Sequence, residues 1–213
     1  MFPFKNNILS RIIILFLFIE AVSIFLFLGF CVYKLLFFKK MLNGLPALPG
    51  ETVMIADISK IGFRLIFGLM ISCLLLFLFW LYRLYRNIDS TKNLENGFTP
   101  VSSVLALVVP FANLLIPRNT VNEICNSYII TDKEKVYAKR MLTNWRILFA
   151  VVTICSLYCI TMFYTPISVS EVVKGIYYKI FLLVIYIHFS FLTMEIVELL
   201  NELERKRKVS LLV

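Results

Sequence analysis

The sequence has little of what a soluble enzyme needs. Its 213 residues include one histidine, seven glycines and two tryptophans, and only 16% are charged, against about 25% in ordinary soluble domains. It contains no Gly-rich phosphate loop, no H-E-x-x-H and no G-x-S-x-G motif. One histidine and five cysteines without a C-x-x-C motif do not complete a common zinc site. We therefore expect no enzyme, no metal site and no cofactor.

Apolar residues dominate instead. Sixty per cent of the residues are hydrophobic, 20 are phenylalanine, and the mean hydropathy is +0.86. This much apolar surface excludes a water-soluble globular domain and any disordered or collagen-like chain. The net charge is +9, and the basic residues flank apolar runs. Anionic lipid head groups are therefore the expected partners, protein partners stay open, and nucleic acid is not expected.

Four stretches are long enough to cross a membrane as helices, since a span needs about 20 mostly apolar residues. They are Ile12–Tyr33, Leu65–Tyr82, Ile147–Thr165 and Ile176–Leu200. The first follows Lys5 and Arg11 like a signal sequence, but it is too long and lacks a cleavage site, so we expect it to be retained. The sequence predicts an all-α, polytopic membrane helix bundle that forms a single domain over residues 1–213.

A fifth stretch, residues 101–116, differs from these four. It is short, it lies between Pro100 and Pro117, and it contains Pro110 and Asn113. A mid-segment proline removes a backbone donor and kinks or ends a helix. We expect a short Pro-broken segment that is re-entrant or interfacial, with polar backbone groups freed at the break.

Lysine and arginine near span ends favour the cytoplasmic side. Four spans with the amino terminus inside, and five spans with it outside, both place 15 basic residues inside and seven outside. Segment length favours four spans.

Gly44 and Gly50 mark a predicted loop of about 25 residues between the first two spans. Three Ser/Thr-x-x-Glu patterns, beginning at Thr120, Thr131 and Ser168, are typical of helix starts.

Ionisable residues inside the predicted spans are candidates for a functional site. Glu20 lies about 12 Å into the first span by the helical rise, and His188 lies near the middle of the last one. Such groups normally face the bundle interior and find a partner. A proton or cation relay and a structural interhelical hydrogen bond are both consistent with them. Glu195 and Glu198 are expected at the membrane interface.

Two neighbouring motifs lead to a family resemblance. The second span ends in a W-x-x-R-x-x-R-N pattern, an F-T-P opening follows, and then a P-x-x-N-L-x-x-P core with an acidic residue after it. The residues concerned are Trp80, Arg83, Arg86, Asn87, Phe98, Thr99, Pro100, Pro110, Asn113, Leu114, Pro117 and Glu123. Over about residues 60–165 this pattern resembles the bacterial membrane family known as domain of unknown function 4328.

The resemblance implies a fold but no activity. Family members typically carry several tryptophans where this chain has Ser102, Ser103, Ala106 and Leu107, so a surface formed by those tryptophans is not expected here. The amino-terminal extension of many relatives looks cytoplasmic, which favours an amino terminus inside. We expect a multi-pass protein of the bacterial inner membrane with both termini cytoplasmic.

The motifs leave two functions open. The first is a non-enzymatic role in lipid or protein interaction at a basic, aromatic cytoplasmic face, which comprises Arg83, Arg86, Lys133–Arg140 and Arg205–Lys208. The alternative is a small transporter or channel with a polar site at the broken helix, using Glu20, His188 and Asn113. An enzyme acting on lipid lacks a matched nucleophile and base.

Overall fold

Four helices form the described part of the protein. The computed structural model describes residues 6–89, 132–161 and 168–210. The helices are α1 (Asn6–Leu42), α2 (Glu51–Asp89), α3 (Asp132–Thr161) and α4 (Val169–Ser210). Within these ranges there are no strands, so the predicted all-helical fold is confirmed for them. Of the predicted Ile147–Thr165 span, residues 162–165 lie outside the described residues.

Three of the helices are long and apolar enough to cross a membrane. They contain the segments Ile8–Leu42, Glu51–Leu84 and Val169–Lys206. Many large apolar side chains on their outer surfaces are exposed, among them Phe25, Leu26 and Leu75. Such a surface is compatible with lipid and incompatible with water over so large an area. The chain is therefore a helical membrane protein.

The connection between α1 and α2 is much shorter than predicted. Helix α1 continues to Leu42 and α2 begins at Glu51, so residues 43–50 replace the expected loop of about 25 residues. The lysines beyond the apolar runs are good helix formers and extend both helices past the predicted spans. Gly44 and Gly50 have φ values of +79° and +81°, a region that glycine enters without steric cost.

Side chains fix the ends of two helices. Glu51 accepts hydrogen bonds from the Leu48 amide at 3.2 Å and from the Tyr33 hydroxyl at 2.9 Å, which ties the start of α2 to α1. The predicted cap at Ser168 is confirmed, because its Oγ accepts a hydrogen bond from the Glu171 amide at 3.3 Å. The predicted caps at Thr120 and Thr131 lie outside the described residues.

The helices pack side by side in the order α2, α1, α4, α3. The α1–α4 contact is the most extensive, and α2 and α3 flank it. Gly62 on α2 lies against the ring of Phe27 on α1, where any larger residue would collide with that ring. Adjacent helices in this row approach closely along their backbones, whereas α2 and α3 face each other across a gap that side chains bridge.

One buried cluster joins all four helices near Arg11. Ile13 of α1, Trp80 of α2, Met141 of α3 and Leu200 of α4 all belong to it. The start of α1, the end of α2, the start of α3 and the end of α4 therefore lie together, at what we call the Arg11 end. The opposite end, which carries the short turn between α1 and α2, is the Gly44 end.

Basic residues mark the depth of the apolar band. Eighteen residues separate Arg64 from Arg83 on α2, a length of about 27 Å at the helical rise. This matches a hydrocarbon core of about 30 Å. The flanking basic residues are Arg11, Arg83 and Arg140 at the Arg11 end and Lys34, Arg64 and Lys179 at the Gly44 end.

Candidate functional site

A cavity of about 340 Å³ lies between α2 and α3, with α1 and α4 behind it. It exists because α2 and α3 make no close backbone approach in the described part of the chain. Apolar and aromatic side chains line most of it. The lining residues that carry a polar group are Glu20, Cys73, Trp145, Thr153, Ser156, Tyr186, Ser190 and Thr193.

The acidic residue in this cavity lies far from the basic residues that flank the apolar band. Glu20 is nine residues from Arg11, and Cys73 is nine residues from Arg64 and ten from Arg83. Both therefore lie about 14 Å from the nearest basic residue on their helix. Glu20 is only 5% exposed, and the Cys73 thiol hydrogen bonds to its carboxyl group. The described residues place no cation within ion-pair distance of Glu20.

The hydroxyl groups around Glu20 have their protons engaged already. Thr153, Ser156, Ser190 and Thr193 each donate to the carbonyl oxygen four residues earlier in their own helix, at 2.6–3.1 Å. The Tyr186 hydroxyl lies 2.6 Å from Ser156 Oγ. Either oxygen can be the donor in that pair. The four serine and threonine oxygens therefore offer a ligand lone pairs and no further protons.

An aromatic cluster closes the cavity towards the Arg11 end. Trp145 Nε1 donates to Thr193 Oγ1 at 2.9 Å, which joins α3 to α4. The Trp145 ring contacts Phe77, Phe149 and Phe189, with ring centroids 5.5, 5.6 and 5.8 Å away. Phe77 comes from α2, so this cluster also bridges the gap between α2 and α3. These contacts hold the cavity wall in a fixed geometry.

The structure separates the two ionisable residues that the sequence suggested as a relay. Glu20 lines the cavity, whereas His188 is exposed on α4 and is not among the lining residues. The expectation that His188 faces the bundle interior is wrong. The residues of α4 that face the cavity are Tyr186, Ser190 and Thr193, and His188 is turned away from them on the helix.

The remaining candidate residues lie towards the Arg11 end or outside the described residues. Arg83 is partly buried and Arg86 is exposed near the end of α2. Asn87 belongs to the last turn of α2, and its side chain is outside the described residues. The predicted broken segment 101–116 also lies outside the described residues. So do four candidate residues in or after it: Pro110, Asn113, Pro117 and Glu123.

Sequence reasoning missed most of the cavity, although one signal for it was present. Tyr186, Ser190 and Thr193 recur at spacings of four and three residues, which places them on one face of α4. Such a polar stripe in an apolar helix predicts a face turned to the bundle interior. Cys73 gave no comparable signal, because a lone cysteine in an apolar run looks like any small apolar residue.

Charged side chains at the Arg11 end form a mixed surface. Arg11, Lys139 and Arg205 are exposed there. Lys206 binds Glu134 of α3 at 2.7 Å and Glu202 at 3.1 Å. The pair with Glu134 connects α3 to α4, whereas the pair with Glu202 lies within α4. Both pairs are partly exposed, and such pairs contribute little to stability.

Fold and cavity define a helical membrane protein with a polar group in its interior. Residues 47–202 match the family described as Domain of unknown function (DUF4328), and the chain belongs to this family. The match confirms the resemblance that the proline and arginine motifs indicated. No curated protein and no solved structure matches the chain.

Proposed function

We propose that this protein is a small, non-enzymatic membrane transporter whose substrate site is the cavity around Glu20. One observation carries the proposal: a glutamate that is only 5% exposed lines a cavity in the middle of the apolar band. Placing an acidic group at that depth costs about 2.5–3.5 kcal/mol on insertion scales. The hydrogen bond from Cys73 joins Glu20 of α1 to α2, but it does not account for the cavity beside Glu20.

Proton flux across proteoliposomes tests the transport proposal. After an acid jump under a potassium–valinomycin clamp, an internal pH dye should report proton entry that Glu20→Gln lowers at least tenfold. Glu195→Gln is the matched control, because Glu195 is exposed on α4 and outside the cavity. Entry no faster than in protein-free liposomes would reject proton transport. Equal reduction by both variants would reject the role of Glu20.

The proposed topology has four spans, with residues 101–116 entering and leaving by the same face. Its support is the position of Asp89 and Asp132, the last residue of α2 and the first of α3, at the Arg11 end. A segment that crossed the membrane once would separate them by the bilayer. Because the Arg11 end carries 15 of the 22 basic residues in this topology, it is the cytoplasmic side of a bacterial inner membrane.

Labelling with an impermeant thiol reagent tests this topology. In a cysteine-free background, Ser90→Cys and Thr131→Cys should react from the same side of the membrane in intact cells or sealed vesicles. Asn43→Cys in the turn between α1 and α2 should react only from the opposite side. Reaction of Ser90→Cys and Thr131→Cys from opposite sides would overturn the four-span topology.

A second candidate function is interaction with anionic lipid at the cytoplasmic face. Exposed basic side chains at the Arg11 end favour it, because each Lys or Arg near an anionic surface contributes about 1 kcal/mol. This function uses the outer surface of the bundle and makes no demand on the cavity. The two functions are therefore separable by mutation.

A further inference from the structure

We propose that the cavity around Glu20 binds a lipophilic amine, a molecule with an apolar body and one protonated ammonium group. This inference rests on the proposed substrate site and names the chemical class of its ligand. It requires binding only, so it survives if transport is rejected. Three properties of the cavity carry it: its charge, its hydrogen-bonding capacity and the nature of its walls.

The charge of the cavity favours a cation. Among the described residues that line the cavity, Glu20 has the one carboxyl group, and none is a lysine, arginine or histidine. A buried carboxylate needs a counter-charge or a strong hydrogen-bond donor close by. Among the described residues the only donor to its carboxyl group is the weak thiol of Cys73. An ammonium group on a ligand would provide the missing charge.

The hydrogen-bonding capacity of the cavity points the same way. The protons of Thr153, Ser156, Ser190 and Thr193 are held by backbone carbonyls, and Trp145 Nε1 is held by Thr193. These four serine and threonine oxygens have only lone pairs left to offer a ligand. A ligand with N–H donors fits this lining. A carboxylate or phosphate ligand would find only lone pairs on these oxygens, and the negative charge of Glu20 would repel it.

The walls select an apolar body. Phe67, Phe77, Phe149 and Phe189 line the cavity with Trp145, and aromatic faces also attract cations. On the α2 side the lining residues Phe67, Ile71 and Leu74 are partly exposed at membrane depth. In the described part of the chain these side chains put the cavity lining next to the hydrocarbon layer of the proposed topology. An amphiphile dissolved in the bilayer would reach Glu20 between α2 and α3.

Three probes of one shape test the proposal. Phenylbutylamine is a cation at neutral pH, phenylbutanol is neutral, and phenylbutyrate is an anion. Calorimetric titration of the full chain in detergent should show saturable binding of phenylbutylamine, with affinity at least tenfold above phenylbutanol and no measurable binding of phenylbutyrate. Equal affinity for the amine and the alcohol, or no saturable binding of the amine, would overturn the proposal.

Variants locate the binding. Glu20→Gln keeps the size of the side chain and removes the charge, so phenylbutylamine affinity should fall at least tenfold while phenylbutanol binding is unchanged. Glu195→Gln, outside the cavity, should leave both affinities unchanged. Phenylbutylamine binding that survives Glu20→Gln intact would overturn the assignment of the site.

Modification of the natural thiols gives a second measurement that needs no variant at Glu20. Cys73 lines the cavity, whereas Cys31 and Cys155 do not. Phenylbutylamine should slow the modification of Cys73 by a small neutral thiol reagent several-fold without slowing the modification of Cys155. Labelling of Cys73 at the same rate with and without phenylbutylamine would count against the site. Protection of Cys73 combined with absent proton flux would reject proton transport and retain amine binding.

Discussion

Replacement of Trp145 by alanine is expected to destabilise the bundle by up to about 3–5 kcal/mol, the cost of removing a buried aromatic side chain from a soluble core. Trp145 is 5% exposed and contacts rings from α2, α3 and α4. Without it, the cluster that bridges the gap between α2 and α3 loses its central ring. In lipid this cost comes from lost packing contacts, because apolar burial has no hydrophobic driving force there.

Unfolding by sodium dodecyl sulfate in mixed micelles measures this cost, with helicity as the signal. Trp145→Phe is the matched control, because it keeps most of the ring contacts and removes the hydrogen bond to Thr193 Oγ1. That bond is expected to contribute about 1 kcal/mol. Equal destabilisation by Trp145→Ala and Trp145→Phe would show that the hydrogen bond, and not the packing, holds α3 against α4.

Neutralising five exposed basic residues at the Arg11 end is expected to weaken binding of anionic lipid at least 100-fold at low ionic strength. The variant replaces Arg11, Arg86, Lys139, Arg140 and Arg205 by glutamine; all five are exposed. At about 1 kcal/mol per charge the full effect is about 5 kcal/mol, and screening by the acidic neighbours reduces it. The stabilisation of the protein by added phosphatidylglycerol in micelles reports the affinity.

Removing negative charge from the same surface should have the opposite effect. Glu195 and Glu198 are exposed on α4 near this end, and their replacement by glutamine is expected to tighten phosphatidylglycerol binding. High salt should diminish both effects, because exposed charges are screened. Lipid affinity that is unchanged in the five-residue variant would remove the second candidate function and leave the cavity proposals intact.

The helices were predictable because their cause is local. An apolar run of span length predicts a membrane helix from its own residues alone. The start of α4 is equally local, because the Ser168 side chain caps it. The short turn between α1 and α2 was missed because hydropathy falls where lysines begin, while the helix continues until glycine ends it at Gly44. Hydropathy locates the lipid contact of a helix and not its ends.

The cavity was not predictable because its members come from four helices. Glu20 could be singled out by its charge, but its neighbour Cys73 lies on α2 and depends on how α2 packs against α1. His188 was misplaced for the same reason. Its position in an apolar run suggested the bundle interior, but the orientation of α4 leaves His188 exposed. Which face of an apolar helix turns inward depends on helix packing, and in lipid the apolar residues themselves do not decide it.

The row α2, α1, α4, α3 makes the bundle mechanically uneven. The seam between α1 and α4 is closed by intimate packing along its length, whereas α2 and α3 meet through bulky rings such as Phe77 and Trp145. Among the described helices, separating α2 from α3 would break few contacts and leave the packing of α1 against α4 intact. Lateral pressure in the bilayer varies with lipid composition. It would therefore first change the width of the gap between α2 and α3.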